Sequence, residues 1–368
     1  MSPRKKDLLS AVAAAAESSA DTAKTSAHQL HEKTRLERIP PAVRFALAVF
    51  SSLVLSSTLF TLTTGITLGD LGRVSKHLET WWEVGGLMAW KAVEVGLAWV
   101  LGYDARDVLT LTLLTHLPTY TLLSTFYTVR PTTTITSYLI TLISTTLPFY
   151  LLRPSSSLSS PGPKNRSILQ DRPTTIYTTV AATAIFAVAL YTSYATPWLP
   201  RLLVVHFANL PDISAVHAGP AGLPGLFLGL LPAGAAVRDF LFVSSAGVDD
   251  EVTSEEKKKK KKQNGGEGES EGEGESKGEG EGEGEGEGKS FLCALYQKTW
   301  GSLTRKTQVL VSRTVVLAGL LLGNTVVQVA GTVNGVDVTG AAAWGSVWAA
   351  AAVVTGALFG WVEAVDGV

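Results

Sequence analysis

The chain has 368 residues, is 46% hydrophobic and sets 31 Lys+Arg against 32 Asp+Glu. Residues 249–289 alone hold 15 acidic and 8 basic side chains, so the other 327 residues carry a net +6 and are only about 12% charged, half the ~25% usual in globular chains. So charge-poor a body excludes an ordinary soluble domain, and a single cysteine, Cys293, excludes an internal disulfide framework or a Cys-rich metal site.

Residues 1–40 form a polar, Ala-rich, helix-prone tail without an early apolar core, unlike a secretory signal. Asp7, Glu17, Asp21, Glu32 and Glu37 interrupt its basic residues, which argues against a mitochondrial presequence. The first apolar segment is therefore expected to act as an uncleaved anchor. A bilayer core of about 30 Å needs about 20 mostly apolar helical residues. Eight segments approach that length: 45–66, 83–103, 108–127, 133–152, 175–196, 221–237, 309–331 and 341–362. The sixth is short and carries Pro224 and Pro232. It therefore reads either as a span or as a re-entrant hairpin, which leaves seven spans as the fallback.

Loop charge separates the two. With eight spans and a cytosolic N-terminus, 25 of the 31 Lys+Arg fall inside and 4 outside, with Lys91 and Arg313 within spans. Omitting the Lys257–Lys262 run still leaves 19 against 4, as the positive-inside rule expects. A non-crossing sixth segment would put Lys298, Arg305 and Lys306 outside, directly before a span. Both termini are thus expected in the cytosol. Trp81, Trp82, Trp99 and Tyr103 flank span two, and Trp198 and Trp361 lie near other span ends, in keeping with interfacial belts.

Residues 249–289, a lysine run followed by Gly-Glu repeats, cannot bury apolar surface and are expected to be a disordered cytosolic insert. Their end at Gly288-Lys289-Ser290 lacks the first glycine of a phosphate-binding loop, because Glu283 stands there. Leu292, Tyr296, Trp300 and Leu303 then recur at helical spacing among basic residues, an amphipathic interfacial helix over 290–306. Cys293 within it is read as an idle thiol in preference to a palmitoylation site.

The residues that carry chemistry begin in span two. Glu83, Lys91 and Glu94 share a helical arc of about 80°, with Lys91 and Glu94 an i, i+3 pair. Lys91 and Glu94 lie some 12–16 Å deeper than Glu83 by the helical rise. A charge at that depth costs roughly 3 kcal/mol or more, so both must face the bundle and be paired. Two readings remain: a self-neutralising pair that fixes helix register, which is preferred, or a proton- or ion-coupled pathway. Span three adds His116 near mid-membrane and Pro118, whose ring frees the carbonyl of Leu114. The many threonines of spans three and four read as packing glue. Asn324 and Gln328, i and i+4, form a polar stripe on span seven. Gly225–Gly229–Ala233, Gly319–Gly323 and Ala352–Gly356–Gly360 repeat every four residues, as close-packed membrane helices do.

The longest outside loop, 197–220, holds His206, Asp212 and His217, from which a catalytic or metal site can be drawn. Their spacing matches no established ligand pattern, and Arg201–Phe207 reads more plainly as a short interfacial helix. Tyr103-Asp104 supplies half of an aspartyl intramembrane protease pattern, but Asn334-Gly335-Val336-Asp337 departs from the other half. The Asn165-Arg166-Ser167 sequon falls on the cytosolic side, where it would go unused.

The stretch Thr80-Trp-Trp-Glu-Val-Gly-Gly through Phe126-Tyr-Thr-Val-Arg-Pro-Thr-Thr133 resembles a block of predicted multi-pass membrane proteins of filamentous fungi. It covers about 55 residues and carries no assigned activity, so the resemblance implies membrane embedding and transfers no functional residue.

The expectation is an all-α polytopic transmembrane bundle of about eight spans. Its parts are a cytosolic tail (1–40), spans one to six (41–248), the disordered insert (249–289), the interfacial helix (290–306) and a membrane hairpin (307–368). The preferred function is a non-enzymatic scaffold or solute-handling bundle with Lys91, Glu94 and His116 as its polar core. The alternative is a lipid-modifying or intramembrane enzyme at His206, Asp212 and His217. No cofactor or metal and no nucleic-acid partner is expected. The partners are the bilayer and other membrane proteins met through the small-residue faces. Span lengths near 20 residues point to the endoplasmic reticulum or another secretory membrane.

Overall fold

The computed structural model describes residues 40–153, 172–208, 210–246 and 305–366. The N-terminal tail, Asn165, the insert, Cys293 and most of the expected interfacial helix lie outside the described residues. Its last two positions, Arg305 and Lys306, open a long helix instead.

Among the described residues the chain is helical and has no β-strand. The helices are α1 (Pro41–Leu62), α2 (Thr64–Val74), α3 (Trp81–Val100), α4 (Ala105–Thr125), α5 (Pro131–Leu152) and α6 (Arg172–Ala195), then α7 (Trp198–His206), α8 (Leu223–Ala246), α9 (Arg305–Thr332) and α10 (Val338–Asp366). Pro41 and Pro131 open α1 and α5 at a first-turn position, where a missing N–H is harmless. The sixth segment is one continuous helix, α8, with Pro232 inside it rather than a hairpin.

Six of these helices are long and apolar enough to cross a membrane: α1, α5, α6, α8, α9 and α10, with α8 reckoned from Gly219 to Phe242. The other two long ones have a physical reason to be more polar. Helix α3 carries Glu83, Lys91 and Glu94, and α4 is rich in threonine and holds His116. Eleven of the 21 residues of α4 are buried, whereas α1 buries only Ala48 and Ser52. Helix α4 packs against α5, α8, α9 and α10, so its polar side chains meet protein. Helix α1 turns Phe50, Val54 and Leu62 outward, as a lipid-facing helix would.

The connections gather at two opposite ends. At one end Ser75 bridges Val333 and Phe207 bridges Val336, while the Asp212 N–H donates to the Phe126 carbonyl at 3.3 Å. Gly335, at φ +75°, makes the tight α9–α10 turn, and a Cβ there would stand 2.8 Å from that of Ala208. At the other end Arg106 meets Asp239 at 2.9 Å, and Arg313 meets Asp107 at 2.9 Å. The core between the ends is aromatic. Phe126 meets Trp344 edge-on at 5.8 Å, and Trp344 lies 5.9 Å from Trp348; both tryptophans are buried. Such pairs add about 0.5–1.5 kcal/mol beyond the area they bury.

Candidate functional site

The structure brings Lys91, Glu94 and His116 together. Helical spacing sets Lys91 Nζ 3.0 Å from Glu94 Oε2 on α3, and His116 Nε2 reaches across from α4 to Glu94 Oε1 at 3.1 Å. With Glu94 as carboxylate, Nε2 is the donor, which fixes the tautomer of a neutral imidazole. Lys91 Nζ also donates to Thr145 Oγ1 on α5 at 2.8 Å, and Thr145 donates in turn to the Thr141 carbonyl at 2.9 Å. Both carboxylate oxygens are thus in use, one tying α3 to α4 through His116, while Lys91 ties α3 to α5 through Thr145. Glu94 and His116 are each 4% exposed.

The energetics decide what such a cluster can be. A buried ion pair contributes little net stability against an apolar replacement, while removing one partner costs about 3–5 kcal/mol. The pair joins α3 to α4 through His116 and to α5 through Thr145. Neither of the two cavities described below is lined by Lys91, Glu94 or His116.

Asn324 joins the same region from α9. Its Oδ1 accepts from Trp90 Nε1 at 3.0 Å and its Nδ2 donates to the Thr115 carbonyl at 2.9 Å. Gln328, four residues on, lines a separate cavity with Phe60 and Thr119. Glu83 is not brought into the core. It pairs with Lys76 at 2.8 Å at the loop end of α3, because the helical rise separates it from Glu94 by three turns. Nor do His206, Asp212 and His217 converge. His206 faces Asp337 at 3.4 Å, His217 faces the Ile213 carbonyl at 3.3 Å, and Asp212 caps its own turn by accepting from the Ser214 N–H and hydroxyl. No group of three or more metal-ligating side chains occurs among the described residues.

Many threonines bond back to the preceding turn, as Thr121 does to the Leu117 carbonyl at 2.9 Å and Thr183 to that of Thr179 at 2.8 Å. The small residues divide. A Cβ on Gly323 would meet the Trp90 ring at 2.9 Å and one on Gly356 the Thr314 hydroxyl at 2.4 Å, whereas Gly225, Gly229 and Gly319 have nothing of the chain within 4 Å.

Sequence reasoning missed a second cluster. Asp70 on α2, 3% exposed, accepts from Arg130 Nε at 2.8 Å and Nη2 at 3.2 Å, from Thr133 Oγ1 at 3.0 Å and from Arg73 Nη2 at 3.4 Å. The Arg130 bonds hold its carboxyl below the ordinary range against the opposing pull of desolvation, with Thr133 and the charges of Arg130 and Arg73 adding to them. Arg130 and Thr133 lie in the fungal-like block, but only the fold places them opposite Asp70. At the other end Arg313 donates to the Phe240 carbonyl at 3.1 Å and stacks over the Tyr103 and Phe240 rings at 4.9 and 5.0 Å.

Comparison with known proteins bears on the second half of the chain. Residues 171–327 match the family model described as the Bouquet formation protein 3 C-terminal domain. This is a fungal protein family. The match to Bouquet formation protein 3 runs from the start of α6 almost to the end of α9, covers under half of the chain and includes Asn324. Lys91, Glu94 and His116 lie before it. No curated protein matches, and no solved structure matches.

Proposed function

We propose that the chain is a non-enzymatic multi-pass membrane scaffold in which all eight long helices cross the bilayer and both termini lie in the cytosol. Its Lys91–Glu94–His116 triad works as a structural anchor. The observation that carries this reading is that both Glu94 oxygens are engaged, by Lys91 and by His116, with Glu94 and His116 each 4% exposed. Support for the crossing of α3 and α4 comes from their length, the burial of α4 among four other helices and the alternation of loops between the two ends of the bundle. An internal secretory-pathway membrane, the endoplasmic reticulum included, suits the span lengths.

The likeness to Bouquet formation protein 3 supports a role in bouquet formation as a membrane-embedded component. Partner membrane helices would meet the chain along Gly225, Gly229 and Gly319, where backbone lies open to close approach. In cells lacking the endogenous chain, the variant K91L/E94L should accumulate to normal abundance and restore function. Loss of function in a normally abundant double variant would overturn the anchor reading.

A further inference from the structure

We propose a binding site for a phosphate-bearing glycerolipid at the α2 end of the bundle, with the headgroup in a cavity beside Asp70 and the acyl chain along its neighbour. The proposal rests on the membrane reading given above.

The first cavity, about 180 Å³, is lined by Asp70, Arg73, Tyr127, Thr128 and Asn334 among others. Its charges are unequal. Arg130, just outside the cavity lining, spends two donors on Asp70, whereas Arg73, which lines it, touches Asp70 through one nitrogen at 3.4 Å; their side chains are 71% and 77% exposed. Two guanidiniums against one carboxylate leave a net positive charge, and Arg73 keeps most of its five donors for an anion. The Tyr127 hydroxyl is buried and has no hydrogen-bond partner, although a buried Tyr O–H ordinarily finds one. Thr128 stands at φ +50°, a conformation uncommon outside glycine and concentrated at ligand-binding positions. Four departures from ordinary satisfaction therefore meet at one cavity: a free guanidinium edge, an orphaned phenol, a left-handed threonine and the excess of positive charge.

The second cavity, about 230 Å³, shares Val74 with the first and is lined by Phe60, Leu71, Leu123, Thr119 and Ser137. No ionised side chain lines it, so it suits a hydrocarbon chain with its ester linkage. Thr119 and Ser137 are buried and their hydroxyls have no partner. The Thr115 carbonyl, one of the preceding-turn acceptors within reach of Thr119, receives Asn324 Nδ2 at 2.9 Å. A χ1 change at either residue offers a hydroxyl to an ester carbonyl. A phosphate donor set beside an uncharged apolar slot at one end of a membrane bundle is the arrangement a phospholipid headgroup and its first chain require.

The test uses the full-length chain, purified in detergent, with thermal unfolding followed on titration with short-chain phosphatidic acid, the matching diacylglycerol or inorganic phosphate. Phosphatidic acid should raise the unfolding midpoint, and the other two should not. The variant R73Q should keep the unliganded midpoint and weaken phosphatidic acid about tenfold, the loss of one charge-assisted contact; Y127F should weaken it by less. Equal stabilisation by diacylglycerol would overturn the headgroup site, and equal stabilisation by inorganic phosphate would overturn a lipid occupant. An unchanged response in R73Q would remove Arg73 and with it the proposal. Alkaline extraction of native membranes separates the two readings. A chain that washes off contradicts membrane spanning itself, whereas an integral chain indifferent to phosphatidic acid contradicts the lipid site alone.

Discussion

His116 on α4 and Glu94 on α3 meet at 3.1 Å between Nε2 and Oε1, in a contact from which solvent is excluded. Lys91 occupies the other carboxylate oxygen at 3.0 Å, so its charge is set directly against that of Glu94. Removing one charge strands the other. E94L leaves Lys91 with Thr145 alone, and should destabilise the chain by about 3 kcal/mol or more. K91L/E94L removes both charges and should recover most of that loss. Denaturation midpoints in detergent decide the matter. A double variant as unstable as E94L would show that the triad stabilises through more than neutralisation.

Asp70 gives a pH dependence with a definite sign. Its folded pKa lies below the ordinary value of 3.8. A depressed carboxylate pKa contributes stability that is fully present above the unfolded value and is lost as pH falls through the folded one. Stability should therefore decline below about pH 4 more steeply in the natural chain than in D70N. Unfolding midpoints from pH 5 down to the lowest soluble pH test this. Parallel curves would mean that the Arg130 contact does not hold the carboxyl ionised.

Gly234 marks a close crossing of α8 and α6, since a Cβ there would fall 2.0 Å from Thr183 Oγ1 and 2.9 Å from the Thr179 carbonyl. The backbone atom cannot step aside as a side chain can. G234A should cost about 1–3 kcal/mol by overpacking, while G229A, in the same helix with nothing of the chain within 4 Å, should hold stability or raise it by up to about 1 kcal/mol. Thermal unfolding of the two variants side by side checks the contrast. Equal midpoints would contradict the crossing.

Topology can be read with one substitution. D212N turns Asp212-Ile213-Ser214 into a glycosylation sequon in the loop between α7 and α8. The threading predicts glycan there and none on Asn165. As a second readout in a C293S background, S214C should react with an impermeant maleimide from the lumenal side and D104C from the cytosolic side. Reversed labelling would invert the bundle.

Much of the bundle was legible because helix length, apolar run and loop charge are local properties of the chain. Eight segments of near-spanning length stand where eight long helices lie. The prolines of the sixth segment raised a hairpin that the structure lacks, because Pro232 is accommodated within a packed helix. The Lys91–Glu94 contact was legible for the same local reason, as an i, i+3 pair. Its third member, His116, was named but its distance was not, since that depends on how α3 and α4 pack. Asp70 was invisible altogether. Its partner Arg130 lies 60 residues away, and nothing in the pattern of either segment signals the other. Glu83 shows the converse, because sharing an arc with Glu94 does not place it at the same depth.

In the proposed reading the buried Lys91–Glu94–His116 triad anchors a membrane bundle and carries no protons. Proton flux into proteoliposomes under an imposed pH gradient tests it most directly. The natural chain should pass protons no faster than protein-free vesicles, and K91L/E94L should behave the same. Flux in the natural chain that disappears in K91L/E94L would contradict the account.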